Sequence, residues 1–324
     1  MVIKVSFRLR NRSAAIAVGS DDLDRVIAPA QTFAASENAQ EAFFLVPAPQ
    51  PVRVTVFSGD ADESADIEIL DVAYAEDDQT LGAAAHRLFA HWYYTVDLAG
   101  STISATVENL DFWNAYSVKA AKIFSYLIEE YIGSLDGLTA LDVACSAGRY
   151  SLLLAHLGAN VYGFDHDAGA IAQAKFVAHF SRAALRGSVD FGVSTLQEFT
   201  PRRAFDVVFC SGLFYHLSDP LGGARKLHEL SERWLILQTC VSEKPGALFE
   251  LCDPNRWSFC APWELCLVPT AAMARSVFEK SGFCVRAEYR LHDFELNEKT
   301  GTLSPLRGED KPESPLYLIL EKTR

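Results

Sequence analysis

The spacing of apolar positions changes twice along the chain. Up to about residue 78 they come in short runs, VIKVSFRL, AAIAV, AFFLV, VRVTVF and IEILDVAYA, separated by Pro, Gly, Asp and Asn. Such runs, with turn residues between them and no helical stretch, predict a small β-sandwich over 1–78. From 79 to 135 the pattern becomes helical. In DFWNAYSVKAAKIFSYLIEEYIG, Trp113, Tyr116, Ala120, Ile123, Leu127 and Tyr131 recur every three or four residues. That spacing predicts a helix with Asp111 as N-cap and Gly133 as stop. After 136 strand and helix alternate. TALDVA, NVYGFD, VDFGVS, FDVVFCS and RWLILQTCV read as strands, and RYSLLLAHLG and AGAIAQAKFVAHFSRAAL as helices. Alternation of this kind implies an α/β domain with a doubly wound parallel sheet. The end departs from it: after the helix TAAMARSVFEKSGF come CVRAEYRLH and PLYLILEK with no helix between, so these two strands are expected to be antiparallel neighbours.

Bulk composition narrows the class. With 324 residues the chain has room for about two domains. Apolar residues make up 49% and charged residues 22%, and no run of 18 apolar residues offers a membrane span. The opening MVIKVSFRLRNRS lacks the apolar core and cleavage site of a signal peptide. Seven cysteines without framework spacing suggest reduced thiols, hence a cytoplasmic setting. A net charge of −13 argues against nucleic acid as partner, since such binders carry a basic footprint. Residues 1–78 hold 6 basic against 14 acidic side chains; Lys4, Arg8, Arg10 and Arg12 fall on one strand face, read as a solvated face.

The segment LDVACSAGRY sits where the first strand of the alternating region turns into its first helix. In doubly wound sheets this turn, at the carboxyl ends of the strands, is where ligands bind. Its backbone N–H groups and the helix N-terminus face the ligand. A dinucleotide fingerprint would need G-x-G-x-x-G. Here the turn is Ala144-Cys145-Ser146-Ala147-Gly148, with one glycine, and the extra Cβ atoms disfavour a pyrophosphate such as that of NAD. The next strand ends in Asp165, 23 residues beyond Asp142, where a carboxylate can accept from both ribose hydroxyls. A ribose acceptor with a phosphate-poor loop points to a nucleoside, and S-adenosylmethionine is one.

On these residues the region from 136 to 324 resembles the class I, Rossmann-like S-adenosylmethionine-dependent methyltransferases. LDVACSAG stands where the family has D-x-G-x-G-x-G, VYGFDHD where it has the ribose acid, VSTLQEF at the adenine edge and FDVVFCSGLFYHL beneath the methyl group. The helix-less final strand pair matches the family's reversed seventh strand. GLFYHLSDP followed by TAAMARSVFEKSGF is most similar to the branch that includes the tRNA wobble-uridine carboxymethyltransferase and related small-molecule and sugar methyltransferases. Ala144 and Ser146 depart from two family glycines. The resemblance implies S-adenosylmethionine as cofactor. It implies a cofactor site of Asp142, Ala144, Cys145, Ser146, Gly148, Asp165, His166, Thr195, Leu196, Cys210 and Ser211.

Transfer of a sulfonium methyl needs no metal, and positioning can supply on the order of 7–11 kcal/mol. A hydroxyl acceptor adds the need for a general base. His216, just past the fourth strand, is suited to it because imidazole titrates near neutrality; alternatively it hydrogen-bonds the cofactor or caps the following turn. Tyr215 is read as orienting the acceptor or lining the sulfonium, or else as core. The insertion 242–269 is too long for a simple connection and is expected to shape the substrate pocket, with Asp253, Arg256, Trp257 and Trp263, together with Trp113 and Tyr116 from the preceding helix. Cys252, Cys260 and Cys266 lack zinc spacing, and a divalent ion on Glu250, Asp253 or Glu264 is the lesser alternative. His86 and His91 are read as surface residues or as helping to close the site. The reading is therefore an O-methyltransferase acting on a sugar or specialised metabolite. The alternatives are a tRNA methyl- or carboxymethyltransferase and a non-catalytic cofactor-binding interaction protein. The arrangement expected is a β-sandwich accessory domain (1–78), serving in homodimerisation or substrate presentation, a helical linker or lid (79–135) and the catalytic domain (136–324).

Overall fold

The computed structural model describes residues 2–9, 14–20, 26–33, 36–45, 52–58, 67–75, 81–89, 91–92, 94–98, 101–106, 110–181, 184–251, 266–297, 300–305 and 315–323. The first strand, β1 (Val2–Leu9), shows the period-two pattern in its burial: Ile3, Val5, Phe7 and Leu9 are buried while Lys4, Ser6 and Arg8 are half-buried. Next come β2 (Ala14–Ser20), β3 (Val26–Phe33), β4 (Ser36–Leu45), β5 (Val52–Ser58) and β6 (Ile67–Ala75). They form two antiparallel three-stranded sheets, β4-β1-β6 and β3-β2-β5. Ile3, Val5, Phe7 and Leu9 share a core with Ile16, Val18, Ala42 and Phe44. Lys4 pairs with Glu41 at 3.3 Å and Arg8 with Glu68 at 2.8 Å, so these two cations are tied to the neighbouring strands β4 and β6. Arg10 and Arg12 lie outside the described residues.

The segment expected to be helical is so only in part. Helix α1 (Leu81–Leu88) is followed by a hairpin of β7 (Val96–Leu98) and β8 (Ser101–Ile103) before the long helix α2 (Leu110–Tyr131). Val96 on one strand, and Thr102 and Ile103 on the other, are β-branched residues that favour a strand pair over helix there. Two compact units result: Met1–Leu110 with Lys175–Ser181, and Asp111–Ala174 with Arg182–Arg324.

The second unit contains β9 (Thr139–Val143), α3 (Arg149–His156), β10 (Asn160–Asp165), α4 (Ala168–Ser181, its last turns grouped with the first unit), β11 (Ser188–Val193), β12 (Phe205–Ser211), α5 (Pro220–Leu230) and β13 (Ser231–Thr239). A short hairpin of β14 (Phe249–Leu251) and β15 (Leu267–Pro269) then precedes α6 (Ala271–Lys280) and β16 (Phe283–Arg290). A second hairpin, β17 (Phe294–Asn297) and β18 (Thr302–Pro305), leads to the final strand β19 (Leu316–Lys322). The main sheet runs β11-β10-β9-β12-β13-β19-β16, and β19 is antiparallel to both its neighbours.

Alternation along the strands splits the interior into two layers. Leu141, Val143, Val208, Cys210, Leu235, Leu237, Leu318 and Leu320 face one side, where α5 and α6 supply Ala224, Leu227, Ala274 and Phe278. Ala140, Val207, Phe209, Ile236, Tyr317 and Ile319 face the other, under Ile123, Phe124 and Leu127 of α2 and Leu154 of α3. Strands buried on both faces read as continuous apolar runs, as FDVVFCS and LYLIL do. Among the described residues no helix is long and apolar enough to cross a membrane, and Cys145, Cys210, Cys240, Cys266 and Cys284 are free thiols.

Candidate functional site

The strand order turns back at β9, which lies between β10 and β12. Chains leaving the carboxyl ends of strands at such a point diverge and open a crevice. A cleft of about 170 Å³ lies there, lined by Ala144 after β9, Phe164, Asp165 and His166 at the end of β10, Ser194, Thr195, Leu196 and Gln197 after β11, and Leu213 and Leu217 after β12.

The floor is the turn from β9 to α3. Ala144 has φ 57° and Ser146 φ 49°, so the two residues that replace the family's glycines still adopt the left-handed conformation glycine would. Each costs about 1–2 kcal/mol in that region. The turn is held against this strain by its own hydrogen bonds. Cys145 N–H donates to Phe164 O at 2.9 Å, Ser146 N–H to Asp165 Oδ2 at 2.9 Å, and Gly148 N–H to Cys145 O at 2.9 Å. These amides serve the turn itself, where the sequence suggested that they face a ligand. Gly148, at φ 78°, is the N-cap of α3, and a Cβ there would sit 2.7 Å from Phe191 Cζ. Both the backbone and the packing therefore demand glycine at this place.

Asp165 is central to the site. Oδ2 receives the Ser146 N–H, Oδ1 receives the Asp167 N–H at 2.9 Å, and His166 Nδ1 lies 3.1 Å from Oδ1. A carboxylate offers about four lone-pair sites, so the two oxygens retain capacity for further donors from the cleft. Beneath the turn Asp142 is buried and accepts from Ser151 Oγ at 2.6 Å; desolvation pushes its carboxyl up to about 7. Burial raises the thiols of Cys145 and Cys210 as well, so both stay protonated.

Of the predicted cofactor residues, the cleft gathers Ala144, Asp165, His166, Thr195 and Leu196. Asp142, Cys145 and Cys210 are buried below it; Ser146 and Gly148 shape the turn; Ser211 Oγ donates to Gln238 Oε1 at 2.8 Å. Sequence reasoning missed Phe164, Ser194, Gln197, Leu213 and Leu217. Phe164 stacks on Phe199 with centroids 4.4 Å apart, which keeps its side chain fixed in the wall.

Leu213 and Leu217 bracket a 3-10 turn, Phe214–His216, directly after β12. His216, between them in sequence, is half-buried, and its ring lies 4.3 Å from that of the buried Tyr215. Its Nδ1 is 3.3 Å from Cys266 Sγ. Tyr116 is half-buried on α2 and packs against the second core layer. The side chain of Trp113, and Asp253, Arg256, Trp257, Trp263, Cys252, Cys260 and Glu264, lie outside the described residues. Glu250 is engaged by Ser242 Oγ at 2.5 Å and Lys244 Nζ at 3.0 Å, and among the described residues no three His, Cys, Asp or Glu side chains gather to hold a metal. His86 is on α1, and His91 beyond it is exposed.

Comparison with known proteins places this geometry. Residues 140–231 match the family model described as a methyltransferase domain. A tRNA U34 carboxymethyltransferase from Campylobacter curvus is 28% identical over 166 residues, 50% of this chain and 51% of that protein. A ubiquinone biosynthesis O-methyltransferase from Bradyrhizobium is 35% identical over 126 residues, 39% of this chain and 43% of that one. The chain thus spans about half the length of the curated relatives it matches. Among solved structures, the N-terminal domain of EvdMO1 with S-adenosylhomocysteine bound has a TM-score of 0.52 at 15% identity, covering 74% of this chain and 94% of that one, a likeness of fold. The family match over 140–231, the sheet order and the turn after β9 thus agree with the resemblance of this region to the class I S-adenosylmethionine-dependent methyltransferases, and the relatives it is similar to include tRNA U34 carboxymethyltransferases.

Proposed function

We propose that the protein is an S-adenosylmethionine-dependent O-methyltransferase acting on a small hydroxylated acceptor, a sugar or specialised metabolite. The observation that carries the cofactor reading is the cleft whose mouth holds Asp165 and whose floor is the left-handed turn at Ala144 and Ser146. Phe164, Leu196, Leu213 and Leu217 give it apolar walls for a purine, and Ser194, Thr195 and Gln197 give it a polar edge. Asp165 is the acceptor for ribose hydroxyls. The bound cofactor supplies a methyl group on positively charged sulfur, already activated for transfer. The chain supplies position and proton removal: His216 takes the proton of the acceptor hydroxyl, and Tyr215 orients the acceptor.

The similarity over 126 residues to a ubiquinone biosynthesis O-methyltransferase supports transfer to oxygen, and the charge of −13 favours a small acceptor over RNA. A second reading is transfer to tRNA of a methyl group from S-adenosylmethionine, or of a carboxymethyl group from a cofactor carboxylated on that methyl. It is favoured by the four relatives at 27–29% identity named for that activity, which weigh against dismissing nucleic acid on charge alone. The deciding experiment offers the purified protein S-adenosylmethionine, or its analogue carboxylated on the sulfonium methyl, each labelled on the carbon to be transferred, with a small-molecule extract in one reaction and total tRNA in the other. Label in the small-molecule fraction supports the first reading. Label in RNA overturns it for the second. Calorimetry showing binding of neither S-adenosylmethionine nor its carboxylated form overturns both.

A further inference from the structure

Helix α4 serves both compact units: Ala168–Ala174 group with the second and Lys175–Ser181 with the first. From Ala170 to Ser181 none of its residues is exposed. Ala170, Ile171, Ala172, Ala174, Phe176 and Val177 are buried and, at about 100° per residue, point all round the helix axis. A helix lying on a surface would bury one stripe, whereas α4 is enclosed. At its far end Phe176 belongs to the first unit. Its ring centroid lies 5.3 Å from that of Phe43, 5.6 Å from Phe89 and 6.4 Å from Trp92, each pair edge to face. At its near end α4 is tied to the cleft. Asp167 N–H donates to Asp165 Oδ1 at 2.9 Å, Asp167 Oδ1 accepts the Gly169 N–H at 2.7 Å, and Asp167 O accepts the Ile171 N–H at 3.0 Å.

We propose that α4 links the cofactor site to the first unit, so that a ligand held at Asp165 stabilises the two three-stranded sheets together with the main sheet. This rests on the reading of the cleft as the S-adenosylmethionine site. Helix formation is cooperative, and most of a helix's stability in a protein comes from packing. Opening of the first unit strips Phe176 and Val177 of their apolar contacts and shortens α4 to its first half. The opening turn of that half is the part that Asp167 and Asp165 hold. The same bonds act in reverse: a ligand that fixes Asp165 fixes the start of α4, and the helix carries the constraint to Phe176. A ligand that binds only the closed protein suppresses every opening that disrupts its site by the factor 1 + [L]/Kd. Through α4, openings of the first unit fall in that class, a packed rigid element being a physical carrier of such coupling. Linkage is reciprocal, so loosening the first unit weakens the cofactor site in turn. The first unit is then part of the cofactor-binding scaffold and not a detachable accessory.

Hydrogen–deuterium exchange of the full chain, read by mass spectrometry of its peptides, compares β1 of the first unit with β9 and β12 of the second. With S-adenosylhomocysteine at about a hundred times its Kd, both sets should exchange roughly a hundredfold more slowly. Phe176→Ala removes the ring that meets Phe43, Phe89 and Trp92. In that variant β9 and β12 should keep the slowing, while β1 should change by less than about threefold. Wild-type β1 peptides that exchange equally fast with and without the ligand, while β9 and β12 slow, overturn the proposal. So does a Phe176→Ala protein in which β1 still slows by the full factor. If Phe176→Ala does not fold, Phe176→Leu takes its place: a reduced slowing of β1 supports the link, and an unchanged one overturns it. Wild-type protein that binds no S-adenosylhomocysteine in calorimetry overturns the functional reading instead. The link is then decided without ligand: the slowest peptides of β1 and β9 should exchange with protection equal within about threefold, and a β1 that opens independently overturns it.

Discussion

The main-chain N–H of Ser146 donates to Oδ2 of Asp165 at 2.9 Å, tying the turn after β9 to the carboxylate that ends β10. One side chain thus does two things: it steadies a turn strained at two residues and presents its remaining lone pairs to the cleft. That coupling makes loss of Asp165 a change in both shape and recognition. Asp165→Ala should weaken S-adenosylmethionine binding by about 1.5–3 kcal/mol, the worth of a hydrogen bond to a charged group. Calorimetric titration of the variant checks it, and affinity equal to wild type would remove Asp165 from the site.

The turn also makes a prediction about glycine. Ala144→Gly and Ser146→Gly each relieve a left-handed backbone at about 1–2 kcal/mol, less the roughly 0.5–1 kcal/mol that glycine's freer unfolded chain costs. Both should leave stability unchanged or raise it by up to about 1.5 kcal/mol. Gly148→Ala should act in the opposite sense, since its Cβ meets Phe191 and its φ is 78°. A thermal unfolding series ranks the three, and a stabilised Gly148→Ala would contradict the packing.

Asp142 gives the pH dependence. Its carboxyl is raised in the folded state from 3.8 to about 7, chiefly by desolvation. Between those values the folded protein keeps a proton that the unfolded chain has released, so this group's contribution falls as pH rises through the window. It is complete below 3.8 and gone above about 7. Asp142→Asn cannot ionise and should lack this loss, on the order of a few kcal/mol. Denaturant midpoints at pH 5 and pH 8 test it: the variant should gain on wild type at the higher pH, and parallel curves would refute the account.

What could be read from the sequence follows from how each feature is encoded. Strands of the main sheet announce themselves because burial on both faces leaves runs such as FDVVFCS, and β19 was legible as antiparallel because no crossover helix precedes it. Strand β3 was not, since Pro29 interrupts it, and α5 was not, since Gly222 and Gly223 dilute its period. Its signal was local chemistry: Asp219 accepts the Gly222 N–H at 2.9 Å and Pro220 opens the first turn. At the site, Asp165 was visible as an acid ending a strand. Phe164, Leu213 and Leu217 were not, because an apolar cleft wall has the same residue types as a core. The His216–Cys266 contact crosses a 50-residue gap that no spacing rule spans.

The final prediction separates methyl transfer assisted by a base from transfer by positioning alone. Asparagine in place of His216 retains a hydrogen-bonding group but cannot take up a proton near neutral pH. His216 lies in the 3-10 turn between the cleft residues Leu213 and Leu217, and it is not itself part of the cleft lining. Cofactor affinity should therefore stay within about threefold in His216→Asn. With a general base at work, kcat should fall by roughly 10²–10³, and the loss of rate that imidazole protonation causes on acidification should vanish from the variant's profile. Calorimetry, followed by steady-state rates across a pH series with the identified acceptor, measures both. A variant that keeps more than about a third of wild-type kcat, or repeats the wild-type pH profile, would show that His216 is not the base. The proton would then leave through another group, with Tyr215 the nearest in the turn, or the acceptor would be nucleophilic enough to need none.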